Sequence, residues 1–119
     1  MRDNRTIVSK IHTSVDEGHQ IAIPPVVYYE IRRGLLSLAA PVKAIAFEKL
    51  CDISYLGTID KATMEIAAAA YARLRKTGRV IEDADLLIAA YCIHNGFTLV
   101  TNNVKHFEAI EGLLFINWL

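Results

Sequence analysis

At 119 residues, the chain has room for one hydrophobic core, since two would leave each half near the lower limit of independent folding. Hydrophobic residues at 53% and charged residues at 22% exclude a disordered, charge-rich tract. Thirteen basic and thirteen acidic side chains cancel, so attraction to nucleic acid would have to come from a local patch rather than from the whole field.

The first residues, Met1, Arg2, Asp3, Asn4 and Arg5, lack the apolar centre of a signal peptide. No apolar run approaches the roughly 18 residues that a membrane span requires. Cys51 and Cys92 stand alone in apolar stretches without CxxC spacing, which reads as buried free thiols and a reducing, cytoplasmic setting. Ile7, Val8, Ile11 and Val15 recur at helical spacing, with Gly18 as a stop, and predict an amphipathic helix over 4–18. Gln20 to Ile23 follow as a short strand. Pro25 suits a helix's first turn and leads into Val26 through Arg33, with Gly34 near the end, which places Glu30 on a helix just after a strand.

Pro41 can open another helix through Val42, Ile45, Phe47 and Leu50, and Ile53 to Leu56 read as a second strand. Asp60 is a natural N-cap for a helix with Met64, Ala67, Ala68, Tyr71 and Leu74 on one broad face. That helix closes with Arg73, Arg75 and Lys76 before Gly78. Asp83 can cap a further helix from Ala84 to His94; Asn95 and Gly96 then turn the chain into a strand over 97–101. A turn over Asn102 to Phe107 and a last strand within Leu113 to Trp118 complete the pass. Strands alternating with helices imply an α/β domain with parallel pairing. No repeat, linker or low-complexity tract interrupts residues 1–119, so a single domain is expected.

Ligands of open parallel sheets bind beyond the carboxyl ends of the strands, which directs attention to Glu30, to Asp83 and Asp85, and to Asn102, Asn103 and His106. Converging carboxylates bind Mg²⁺ or Mn²⁺ through hard oxygens, and such ions activate water and stabilise charge on a scissile phosphate. Each residue also has a plain structural reading. Asp83 reads as an N-cap, Asp85 as a first-turn acid that complements the helix dipole by about 0.3–1 kcal/mol, Glu30 as an exposed helical acid, and the two Asn residues as turn formers. Arg73, Arg75, Lys76 and Arg79 can contact phosphates, though a helix carboxyl end attracts basic residues in any case. The four histidines have no paired ligand spacing for zinc, and no P-loop, GxGxxG or nucleophile elbow is present.

Ile23-Pro24-Pro25-Val26-Val27-Tyr28-Tyr29-Glu30-Ile31-Arg32-Arg33-Gly34-Leu35 resembles the stretch around the second acidic residue of PIN domains of the VapC toxin family. Ile81-Glu82-Asp83-Ala84-Asp85-Leu86-Leu87-Ile88-Ala89-Ala90 is similar to the family's third acidic motif, with Asp85 in the catalytic position. Gly96 to Asn103 and Gly112 to Trp118 resemble its last two strands. The resemblance implies a three-layer α/β/α PIN fold with a parallel sheet in the order 3-2-1-4-5. It also implies a Mg²⁺- or Mn²⁺-dependent endoribonuclease acting on a structured RNA such as tRNA, paired with a VapB-like antitoxin and assembling as a homodimer. Asp85 and Glu30 would hold the metal, Asn103 would orient water or phosphate, and Asp83 would support them from behind. The family's first, central strand, with its metal-binding Asp, has no counterpart in this sequence; Asn103 and His106 stand where further acids often occur. The expectation is therefore an N-terminally truncated domain with weakened or absent hydrolysis. A different class, a noncatalytic PIN module that binds an antitoxin or RNA, needs fewer intact ligands, and metal titration separates the two.

Overall fold

The computed structural model describes residues 16–117, which divide after Thr58 into two compact units. The helix expected over 4–18 lies almost entirely outside the described residues, as do Asp3 and Trp118.

The first unit runs β1 (Ile21–Ala22), α1 (Pro25–Ser37), α2 (Pro41–Asp52), β2 (Ser54–Tyr55). Proline opens both helices, where a missing N–H costs nothing because the first turn has no intrahelical acceptor for it. Gly34 lies near the end of α1 without terminating it. The helix runs on to Ser37, whose hydroxyl donates to the Arg33 carbonyl at 2.7 Å, since one glycine inside a helix costs only about 1 kcal/mol. Ala39 then turns the chain in the left-handed region, at φ 48°. Strands β1 and β2 pair in parallel, Ile21 with Ser54 and Ala22 with Tyr55, and the Ile23 N–H extends the ladder to the Tyr55 carbonyl at 2.9 Å. Ile23 and Phe47 are buried, and the Tyr28 ring lies 5.5 Å from that of Phe47. Cys51 is only half-buried, against the expectation of a buried thiol.

The second unit runs α3 (Lys61–Lys76), α4 (Asp83–Asn95), β3 (Leu99–Val100), α5 (Val104–Phe107), β4 (Phe115–Ile116). Asp60 caps α3 as its sequence position suggests: Oδ1 accepts from both the N–H and the hydroxyl of Thr63, each at 2.9 Å. The buried stripe of α3 is Thr63, Ala67, Ala70 and Leu74, while Met64, Ala68 and Tyr71 are exposed. Both sets obey helical spacing. Pinning Thr63 inward under its cap is what selects between them. Ala67 and Ala70 join Ala89 and Ala90 of α4 in one core cluster with Leu74, Ile81, Leu86, Phe107, Ile110 and Leu113, and small residues at a helix contact permit a short interaxial distance.

Helix α4 is capped by Glu82 rather than by Asp83, which occupies its first turn, and no side-chain bond closes that end. Its carboxyl end is closed by Gly96 at φ 67°: the Phe97 N–H donates to the Cys92 carbonyl at 2.8 Å and the Gly96 N–H to that of Ile93 at 3.3 Å. This double closure requires a left-handed residue, which glycine adopts without a Cβ clash. Strands β3 and β4 pair in parallel, Leu99 with Phe115 and Val100 with Ile116. The two parallel pairs among the described residues correspond to the 3-2 and 4-5 neighbours of the expected sheet order. The segment read as a plain turn over 102–107 contains the short helix α5. No described helix is long and apolar enough to cross a membrane.

Candidate active site

Asp85 sits in the first turn of α4, where its backbone is fixed by a helix in which Leu86, Ala89 and Ala90 join the core cluster and Ile88 is buried as well. Its carboxylate is half-buried and meets His106: Oδ2 lies 2.7 Å from His106 Nε2, with side-chain exposures of 30% and 29%. A carboxylate only accepts, so Nε2 must carry the proton and donate. The distance is that of a charge-assisted bond. Among the described residues Oδ1 of Asp85 has no hydrogen-bond partner, which leaves one hard oxygen available.

His106 is itself held by two further contacts. Its N–H donates to the Asn103 carbonyl at 3.1 Å, its ring meets Phe107 edge-on at a centroid distance of 5.3 Å, and Phe107 is buried in the core. Asn103 opens α5 without a side-chain cap bond, and its N–H donates to Thr101 Oγ1 at 3.0 Å. Its amide is therefore exposed in the turn that carries His106. The structure thus brings Asp85, His106 and Asn103 to the ends of α4 and β3. Asp83 is exposed at the start of α4 and makes no bond to Asp85. Nothing in the sequence singled out the Asp85–His106 pair, because 21 residues separate its members. Its only trace was a histidine standing in a position where the family often has an acid.

Glu30 belongs to the first unit, on α1 one turn beyond Pro25, and is half-buried. Its Oε2 lies 4.0 Å from Arg33 NH2 across one helical turn, and the Arg33 guanidinium lies 5.3 Å above the Tyr29 ring. An ion pair this exposed is worth about 0–1 kcal/mol and leaves the carboxylate open to other partners. Of the basic residues noted near the end of α3, Arg73 pairs with Glu111 at 3.9 Å and Arg75 donates to the Tyr71 hydroxyl at 3.0 Å.

No three His, Cys, Asp or Glu side chains converge to hold a metal among the described residues. A zinc-like site built wholly of protein ligands does not fit this donor set. A hard, largely hydrated cation does: Mg²⁺ keeps several waters and takes one or two carboxylates together with substrate phosphates. Asp85 Oδ1 has the donor chemistry for one such ligand.

The family model described as the PIN domain matches residues 2–113. The chain belongs to the PIN-domain family, and its likeness within that family is to VapC proteins. It is 47% identical to the Ribonuclease VapC2 of Rickettsia felis over 45 residues, 38% of this chain and 34% of that protein. To the Ribonuclease VapC1 of Methanocaldococcus jannaschii it is 38% identical over 65 residues, 55% of this chain and 46% of that protein. These matches span about a third to a half of the relatives' lengths. The crystal structure of VapBC2 from Rickettsia felis, bound to a DNA fragment from its promoter, superposes with a TM-score of 0.84. That superposition covers 94% of this chain and 84% of that one at 24% identity, a likeness of fold.

Proposed function

We propose that this chain is the toxin half of a toxin–antitoxin pair, a Mg²⁺- or Mn²⁺-dependent endoribonuclease that hydrolyses phosphodiester bonds in a structured RNA such as tRNA. The observation that carries the reading is the Asp85 carboxylate, fixed at the start of α4, tied through one oxygen to His106 and open at the other. The likeness to the VapC ribonucleases of Rickettsia felis and Methanocaldococcus jannaschii supports the reaction class. The VapBC architecture of the structural neighbour supports a VapB-like antitoxin as partner. The proposed setting is the cytoplasm, and the proposed assembly a homodimer.

In this reading Asp85 is a metal ligand, Glu30 helps to hold the metal or its water, Asn103 orients water or phosphate through its amide, and Asp83 is a weaker outer candidate. The bound cation would supply an activated water and neutralise charge on the scissile phosphate. Hydrolysis would join the water oxygen to phosphorus and break the bond to the leaving oxygen, the proton given up by the water balancing the one the leaving oxygen takes up. Within the chain, the work of the residues is to bind and to orient.

The test is cleavage of total bacterial RNA in Mg²⁺ and in Mn²⁺ by this chain and by its Asp85→Ala variant. Weak or absent cleavage by this chain is the expected result, and any cleavage it does show is expected to be lost in Asp85→Ala; cleavage that survives the substitution removes Asp85 from the site. The lack of a three-ligand cluster among the described residues favours a second reading, a noncatalytic module that binds antitoxin or RNA. Antitoxin binding with no saturable Mn²⁺ affinity would establish that reading instead.

A further inference from the structure

We infer that His106 is a positioning residue that restricts Asp85 to one-oxygen coordination and thereby sets which divalent cation the site prefers; this rests on the metal-dependent reading above. The bond from Nε2 to Asp85 Oδ2 is short, at 2.7 Å, and both side chains are about 70% shielded from solvent. The imidazole is flanked by the ring of buried Phe107, which it meets edge-on, and its backbone is anchored to the Asn103 carbonyl. With the imidazole seated against Oδ2 and one of its lone pairs taken, Oδ1 is the oxygen of Asp85 left open to a cation among the described residues. Mg²⁺ and Mn²⁺ form six-coordinate shells in which a single carboxylate oxygen fits, whereas Ca²⁺ takes six to eight ligands and readily uses both oxygens of a carboxylate. The donated hydrogen bond also fixes the carboxylate rotamer before any cation arrives, the part that partners of metal ligands commonly play.

The pair joins two elements that the sequence separates by 21 residues, and it uses a nitrogen rather than a second acid. An acid at position 106 would add negative charge and a further oxygen ligand. Histidine instead contributes a donor, which strengthens orientation at the expense of charge. The two choices predict different metal behaviour: a carboxylate would raise affinity for any hard cation, while the imidazole narrows the choice among them.

The experiment measures Mn²⁺ binding at a fixed pH of about 7.5 by the electron paramagnetic resonance signal of free Mn²⁺, with Ca²⁺ as competitor, in the wild type, His106→Gln, His106→Asn and His106→Phe. The Gln amide nitrogen reaches the place of Nε2; the Asn amide stops short of it, and Phe has no donor. His106→Gln is expected to stay within about threefold of wild type in Mn²⁺ affinity and in the Mn²⁺-to-Ca²⁺ ratio. His106→Asn and His106→Phe are expected to bind Mn²⁺ about tenfold more weakly, in the usual range for loss of such a partner, with Ca²⁺ competing better. A purely structural histidine would not move the cation ratio. Equal affinity and equal ratio across all four proteins overturn the inference and leave the proposed function standing. A wild type with no saturable Mn²⁺ binding overturns both. Should the Phe variant fail to fold, the Gln–Asn comparison decides the matter alone.

Discussion

Replacing Thr63 by Val removes one oxygen and almost nothing else. Thr63 is fully buried, and its hydroxyl and its N–H both donate to Asp60 Oδ1 at 2.9 Å. Val has the same branching, so neither cavity nor clash arises. What is lost is a hydroxyl–carboxylate bond, a type worth about 1.5–3 kcal/mol. Two effects offset much of that: the Asp60 side chain is 55% exposed, so water replaces the missing donor, and a buried methyl is better accommodated than a buried hydroxyl. A net cost of about 1 kcal/mol follows. Asp60→Ala acts on the other end of the same contact and should cost more, because it removes the acceptor from both donors and strands a fully buried hydroxyl. Urea unfolding followed by circular dichroism gives both values at pH 7. The same cap has a pH signature. The Thr63 N–H and then its hydroxyl, with His94 as a smaller cause, hold the Asp60 carboxyl below its ordinary value of 3.8. A carboxyl depressed in the folded state contributes stability that is full above the unfolded value and is lost as pH falls through the folded one. The gap between wild type and Asp60→Ala should therefore hold above about pH 4 and narrow below it, the neutral carboxyl still accepting from Thr63. The reasoning fails if Thr63→Val costs as much as Asp60→Ala, or if the gap is as wide at the lowest pH at which the fold survives as it is at pH 7.

Three further substitutions test other parts of the fold. Leu86→Ala, at a position 3% exposed beside Asp85, should cost about 2–5 kcal/mol in urea unfolding; a cost below 1 kcal/mol would mean that the core around the site is loosely packed. Ala39→Gly should raise stability by up to about 1 kcal/mol, since Ala39 stands at φ 48° where a Cβ is strained; a loss would show that the strain is smaller than the added freedom of the unfolded chain. Burial pushes the Cys92 thiol up to about 11, so the folded protein should hold it unreactive toward a thiol reagent at pH 8, with the half-buried Cys51 modified first. The raised value also contributes stability that is full below the ordinary 9.0 and is lost as pH rises through about 11. Cys92→Ala should flatten that alkaline loss in unfolding measurements between pH 9 and 11, and an unchanged slope would contradict the shift.

What the sequence made legible was set by short-range chemistry. Asp60 before Lys61 and Gly96 after Asn95 each fix a helix end through a bond within a few residues, the prolines at 25 and 41 through their fixed φ and missing N–H, and each is readable. Gly34 marks only the neighbourhood of a helix end, because a glycine is tolerated inside a helix, and α1 continues to Ser37. Asp83 misled because two acids at the start of α4 satisfy the same capping pattern, and Glu82 took the place. On α3 two stripes one residue apart were equally periodic, and only the inward-facing Thr63 chose between them. Among candidate site residues, Asp85 was legible from its motif and Asn103 from its turn, but the bond to His106 depends on how β3 returns the chain toward the start of α4. No local pattern encodes that return.

The Asp85–His106 bond closes a circuit made of α4, the Gly96 turn, β3 and α5, and every member of that ring lies in the second unit. Closing a ring of about 20 residues is entropically modest, since doubling its length would add only about 0.6 kcal/mol. The ring is also fastened at its bend, where the Phe97 N–H reaches back to Cys92. Formation of this corner therefore has a short search in chain space. In amide hydrogen exchange, the amides of α4 and of residues 103–107 should open together as one cooperative block.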